Sequence, residues 1–119
     1  MVNLQNGKRK EKMLQKEVIL KDRKLNCVRF RSKESWPHAL RKMEVCYWLR
    51  NNGYNFYTEA EFQTGGRADI VIWNDVDSFI VEVLHSEKYE SILKKKEKYP
   101  SRDIRIVKTS EQFDSVKLL

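Results

Sequence analysis

RADIVIWNDVDSFIVEVLH, residues 67–85, is the stretch on which the fold turns. Arg67–Trp73 and Ser78–His85 are short runs rich in Val, Ile and Phe. The tight connection Asn74-Asp75-Val76-Asp77 separates them, and this pattern predicts two adjacent antiparallel strands. Each run carries one acid among apolar neighbours: Asp69 in the first, Glu82 in the second. A buried carboxylate without a partner costs several kcal/mol or moves its pKa, so two of them in neighbouring strands need a compensating cation. Facing side chains on paired strands lie within about 5 Å of each other. Asp69 and Glu82 could therefore share one hard ion, Mg²⁺ or Mn²⁺, that also holds a phosphate oxygen, a chemistry suited to phosphodiester hydrolysis. The competing reading pairs each acid with a base, such as Asp69 with Arg67.

Outward from this stretch, Tyr54–Gln63 predicts a preceding strand and Thr64-Gly65-Gly66 a turn, which makes a three-strand meander. On that first strand Glu59, Glu61 and Gln63 alternate, the pattern of a solvated face. Before it, Ser35 as N-cap, Pro37 in the first turn and the stop Asn51-Asn52-Gly53 predict a helix over 36–51. Leu40, Met43, Tyr47 and Arg50 share a stripe on it, with Cys46 and Leu49 alongside and Glu44 at its edge, and His38 is expected at the surface. After the meander, residues 87–98 predict a crossover helix ended by Pro100, and Ile104–Lys108 a further strand. A short last helix is expected from Ser110, with Val116 and Leu119 packing. The fold class is α/β: helix, three-strand meander, crossover helix, strand. Residues 7–20 predict an amphipathic helix and residues 25–31 a short strand.

The 119 residues suffice for one domain, a core over 36–119 preceded by a basic extension over 1–35. The net charge is +7, and all of the surplus lies in that extension. Residues 1–35 hold eleven Lys and Arg, among them Lys8, Arg9, Lys10, Arg29 and Arg31, against four acids, whereas the remainder is neutral. Such an arm implies a polyanionic partner, and these residues are candidate phosphate contacts. Cys27 and Cys46 lack metal-site spacing and are expected as reduced thiols. With no long apolar run and no signal-peptide pattern, the sequence predicts an intracellular, cytoplasmic, soluble protein without membrane association.

The order of elements, together with Glu44 in the helix, Gly66-Arg67-Ala68-Asp69 at the second strand and Glu82-Val83-Leu84 at the third, resembles the restriction-endonuclease-like, PD-(D/E)xK, nucleases. The resemblance spans about residues 36–108. It implies that Asp69 and Glu82 bind the metal, that Glu44 assists, that the substrate is DNA with RNA left open, and that the chain works as a homodimer. It also implies a lysine two residues after the second acid, where this chain has Leu84. Lys96 is the lone cation on the helix stripe Tyr89, Ile92, Lys96 and Tyr99, and is the candidate for a migrated catalytic lysine. Arg67 and His85, at either end of the acidic strands, are candidate phosphate contacts. The alternative is a nucleic-acid-binding module on the same fold without catalysis; a third reading is an interaction domain whose acids form salt bridges.

Overall fold

The computed structural model describes residues 18–19, 24–85, 89–96, 99 and 103–118. The elements are β1 (Val18–Ile19), α1 (Trp36–Asn51), β2 (Asn55–Phe62), β3 (Arg67–Trp73), β4 (Ser78–Leu84), α2 (Tyr89–Lys96), β5 (Asp103–Lys108) and a 3₁₀ turn, Ser115–Leu118. They form an α/β fold on a mixed sheet of order β1-β2-β3-β4-β5. β2, β3 and β4 make the expected antiparallel meander, and β5 returns through α2 to lie parallel to β4. No helix among the described residues is long and apolar enough to cross a membrane.

Both faces of the sheet are covered, which accounts for the nearly unbroken apolar runs of β3 and β4. On one face Phe56, Ile70, Ile72, Phe79, Val81, Val83 and Val107 pack with Val45, Cys46 and Leu49 of α1 and with Leu118. On the other, Tyr57, Phe62, Val71, Trp73 and Ile80 gather with Val18 and Tyr99. Both cysteines are free thiols, and burial pushes that of Cys46 up to about 12.

α1 begins and ends as its capping residues require. Ser35 Oγ accepts the His38 N–H at 3.3 Å, and Gly53 follows the helix at φ +77°, a conformation that favours glycine. Its buried face, however, differs from the expected stripe. The inward residues are His38, Lys42, Val45, Cys46 and Leu49, whereas Leu40, Met43 and Tyr47 are 37%, 43% and 66% exposed. The physical reason is that His38 and Lys42 meet buried carboxylates, so the helix can turn two polar residues inward and still lay Val45, Cys46 and Leu49 on the core.

Other expectations change as well. Residues 25–31 form no strand, because side chains take the groups a ladder would use. The Phe56 N–H donates to Asn26 Oδ1 at 2.8 Å, the Arg29 N–H donates to Thr58 Oγ1 at 2.8 Å, and Thr58 Oγ1 donates to Cys27 O at 2.9 Å. Asn26, Cys27 and Arg29 are bound to β2 in this way. Val18 and Ile19, expected in a helix, instead pair with Phe62 and Glu61 as an edge strand; the rest of the 7–20 helix lies outside the described residues. The last element is a single 3₁₀ turn that buries Leu118 and leaves Val116 exposed, and Leu119 lies outside the described residues.

Candidate active site and basic cleft

The meander's ladders are interrupted at one level. β2 and β3 pair at Thr58↔Ile70 and at Ala60↔Ala68, but Glu59, which would face Asp69, makes no such bridge and has φ +51°. β3 and β4 pair as far as Ile70↔Val81, one step short of Asp69 and Glu82. A non-glycine residue in the left-handed region inside a strand costs on the order of 1–3 kcal/mol and persists only where its surroundings over-determine it. Here the surroundings are ionic. Glu59 is buried, with Lys42 Nζ 3.0 Å from Oε1, Arg31 Nε 3.3 Å from Oε2 and Arg67 Nε 3.6 Å from Oε2.

Asp69 and Glu82 meet in this gap. Both are buried, and the Glu82 carboxyl is among the neighbours that hold the Asp69 pKa down. Two carboxyls in such contact need one proton or one cation between them. Asp69 Oδ2 also accepts the Val83 N–H at 2.8 Å and lies 3.3 Å from His38 Nε2, while Oδ1 lies 3.9 Å from Arg31. Burial pushes the Asp69 carboxyl up, but the His38 imidazole and the Val83 N–H overcome it and hold the group below the usual carboxylate range. On the far side of the sheet, Tyr99 Oη sits 2.6 Å from both Glu82 Oε1 and Arg67 O.

A second ring of charge stands behind Asp69. Glu34, His38 and Lys42 are spaced i, i+4, i+8 and so share one face of α1 and its approach. His38 Nδ1 is in close contact with Glu34 Oε2, and Lys42 Nζ lies 2.8 Å from Glu34 Oε1. Burial works against a charged His38, yet Asp69 and Glu34 raise its pKa above the ordinary 6.5. Burial likewise pushes Glu34 up, and Lys42, the Arg31 N–H and His38 bring it below the ordinary value. Two buried donors, Arg31 Nε and His38 Nε2, face their carboxylates at ion-pair distance without an aligned hydrogen bond.

Outside this cluster lies an open cleft of about 720 Å³, walled by Arg29, Phe30, Arg31, Ser32, Lys33, Glu34, Ser35, His38, Glu59, Glu61, Arg67 and His85. Asp69 does not itself line the cleft; it lies behind two residues that do, His38 and Arg31. Four of the residues singled out from sequence, Arg29, Arg31, Arg67 and His85, thus line one cleft beside the Asp69–Glu82 pair.

Others fall elsewhere. Glu44 pairs with Arg41 at 3.3 Å, and Arg41 in turn donates to Lys108 O; Glu44 does not line the cleft. Lys8, Arg9, Lys10 and the Lys96 side chain lie outside the described residues. Leu84 is buried and apolar. Two expectations are corrected: His38 is buried rather than at the surface, and Glu59 is buried in ion pairs rather than solvated, while Glu61 and Gln63 are exposed. Arg67 pairs with Glu59, and the partner of Asp69 is His38. Sequence reasoning missed Glu34 and Lys42 altogether and gave Glu59 no part in the site. The i, i+4, i+8 spacing of Glu34, His38 and Lys42 was the available signal.

Among the described residues, no group of three or more His, Cys, Asp or Glu is arranged to hold a metal ion. The donors Asp69 and Glu82 offer a two-carboxylate set, the kind that Mg²⁺, which keeps several waters and binds substrate phosphate, accepts. Comparison with known proteins adds no relative: no family model matches the chain, and neither a curated protein nor a solved structure does.

Proposed function

We propose that this chain is a metal-dependent nuclease of the restriction-endonuclease-like type that hydrolyses phosphodiester bonds in DNA, with RNA open as a second substrate. The observation that carries the proposal is the Asp69–Glu82 carboxyl pair, buried in apolar strands, with Asp69 directly behind Arg31 and His38 in the wall of a cleft that also presents Arg29, Lys33 and Arg67. The pair fits a hard divalent cation, because two adjoining carboxyls need positive charge and offer only oxygen. Asp69 and Glu82 would hold Mg²⁺ or Mn²⁺, and the ion would supply Lewis-acid activation of water and phosphate.

The protein's own residues do the rest. The Val83 N–H and His38 orient Asp69, and Tyr99 orients Glu82. Arg31, Arg67 and Arg29 draw the phosphates into the cleft and neutralise them. Cleavage of both strands of a duplex calls for two copies, which places a homodimer within the same proposal.

A second reading, a nucleic-acid-binding module without catalysis, is favoured by one observation. Leu84 is buried and apolar where the resemblance implies a lysine. One experiment decides between them: cleavage of plasmid and oligonucleotide substrates with Mg²⁺ or Mn²⁺, with chelator, and by Asp69→Asn. The expected result is metal-dependent cleavage that chelator abolishes and that Asp69→Asn lowers by about 10²-fold or more, with nucleic-acid binding kept. Binding without cleavage under either metal would overturn the nuclease and leave the binding module.

A further inference from the structure

One wall residue of the cleft is apolar. Phe30 is 51% exposed, lies between Arg29 and Arg31 in sequence, and lines the same cleft as both. A duplex presents phosphates and stacked, paired bases to a cleft of this kind, and an exposed phenyl ring gains nothing from a phosphate. An unpaired base has a free π-face, and stacking on an aromatic ring beside arginines is how single strands are held without sequence preference.

Resting on the nucleic-acid reading above, we infer that Phe30 is a stacking platform for an unpaired nucleobase, with Arg29 and Arg31 on the flanking phosphates. The substrate class is therefore a nucleic acid with at least one unpaired nucleotide beside the scissile phosphate. Three observations carry the inference. The ring stands on a fixed backbone, because the Arg29 N–H donates to Thr58 Oγ1 at 2.8 Å and the Arg31 N–H to Glu34 Oε1 at 3.0 Å; a platform held in place before binding loses little entropy when a base arrives. Lys42 Nζ lies 5.2 Å from the ring centroid and holds the phenyl from one side, so the ring's exposed part opens to the cleft. The cleft volume of about 720 Å³ lies in the range of small-molecule sites and suits one nucleotide, whereas a double helix is far wider. Arg31 bridges the two functions, since its guanidinium also reaches Asp69 at 3.9 Å. A base on Phe30 would thus set its phosphate beside Arg31, the cleft residue that adjoins Asp69.

The test is fluorescence anisotropy in chelator with the full chain and four labelled probes: a short oligothymidine, an oligouridine, the same strand as abasic sugar-phosphate, and a blunt duplex. Phe30→Ala is expected to weaken binding of oligothymidine, oligouridine or both by roughly 5- to 100-fold, to leave the abasic strand and the duplex unchanged, and to be rescued by Phe30→Tyr. Thermal melts by circular dichroism separate lost stacking from lost fold, and Phe30→Tyr keeps the comparison valid if Phe30→Ala melts early. An equal loss on all four probes, or no loss on either base-bearing strand, overturns the inference. The nuclease reading fails separately. Metal-dependent cleavage of duplex together with Phe30-independent binding sinks the platform and spares the nuclease, whereas Phe30-dependent single-strand binding without cleavage does the reverse.

Discussion

Lys42→Met tests the ionic core on which the site stands. The lysine is 0% exposed, and its Nζ lies 2.8 Å from Glu34 Oε1 and 3.0 Å from Glu59 Oε1, with Arg29 O as a third acceptor. Both partner carboxylates are themselves buried, at 2% and 5% side-chain exposure. Methionine keeps the stem and removes the charge, which leaves Glu59 to Arg31 and Arg67, both partly solvated, and Glu34 to His38. Breaking a buried pair by deleting one partner costs about 3–5 kcal/mol, because the remaining charge stays desolvated. In a domain of this size that is a fall of roughly 10–25 °C in Tm. Urea denaturation followed by circular dichroism reads it as a lower midpoint at unchanged slope. The triple variant Lys42→Met, Glu34→Gln, Glu59→Gln should recover much of the loss, since apolar or neutral replacement of a whole buried ionic group is often close to neutral. A loss below about 1 kcal/mol for Lys42→Met would mean that the lysine is solvated and that α1 turns the other face inward, and the geometry of the site would fall with it.

The orientation of α1 gives a second expectation: Leu49→Ala should cost about 2–5 kcal/mol and Met43→Ala under about 1, and equal losses in urea titrations would contradict the buried face described here. A third concerns pH. The raised pKa of His38 means that its charged form stabilises the fold fully below 6.5 and that this contribution is lost as pH rises through the raised value; the lowered pKa values of Glu34 and Asp69 mean that theirs is present above 4.5 and 3.8 and is lost as pH falls through the lowered ones. The stability gap between the parent and His38→Gln in chelator should therefore be widest between about pH 4.5 and 6.5 and close on the alkaline side, and urea midpoints that diverge with rising pH would refute it.

What the sequence made legible was whatever conflicts locally with its surroundings. Asp69 and Glu82 stand out because an acid among Ile and Val is expensive wherever the strands go, and the structure buries both, one step beyond the Ile70↔Val81 pair. The strands of the meander and β5 were readable because they are short runs of β-branched and aromatic residues bounded by turn signals, and the observed ends of β3 are those expected from Arg67–Trp73. The face of α1 was not readable from its own residues. Leu40, Met43 and Tyr47 form as good an apolar stripe as Val45, Cys46 and Leu49, and the choice between the two faces is made elsewhere in the chain. Only where Glu59 leaves the alternation of β2, and Glu34 lies just ahead of the helix, do two buried carboxylates come within 3.0 Å of one lysine. That departure at φ +51° leaves no mark in the sequence, since Glu59, Glu61 and Gln63 alternate as a solvated strand would. The apolar pattern of α1 was therefore outweighed by three polar groups, and the turn that buries Lys42 is the same turn that sets His38 against Asp69.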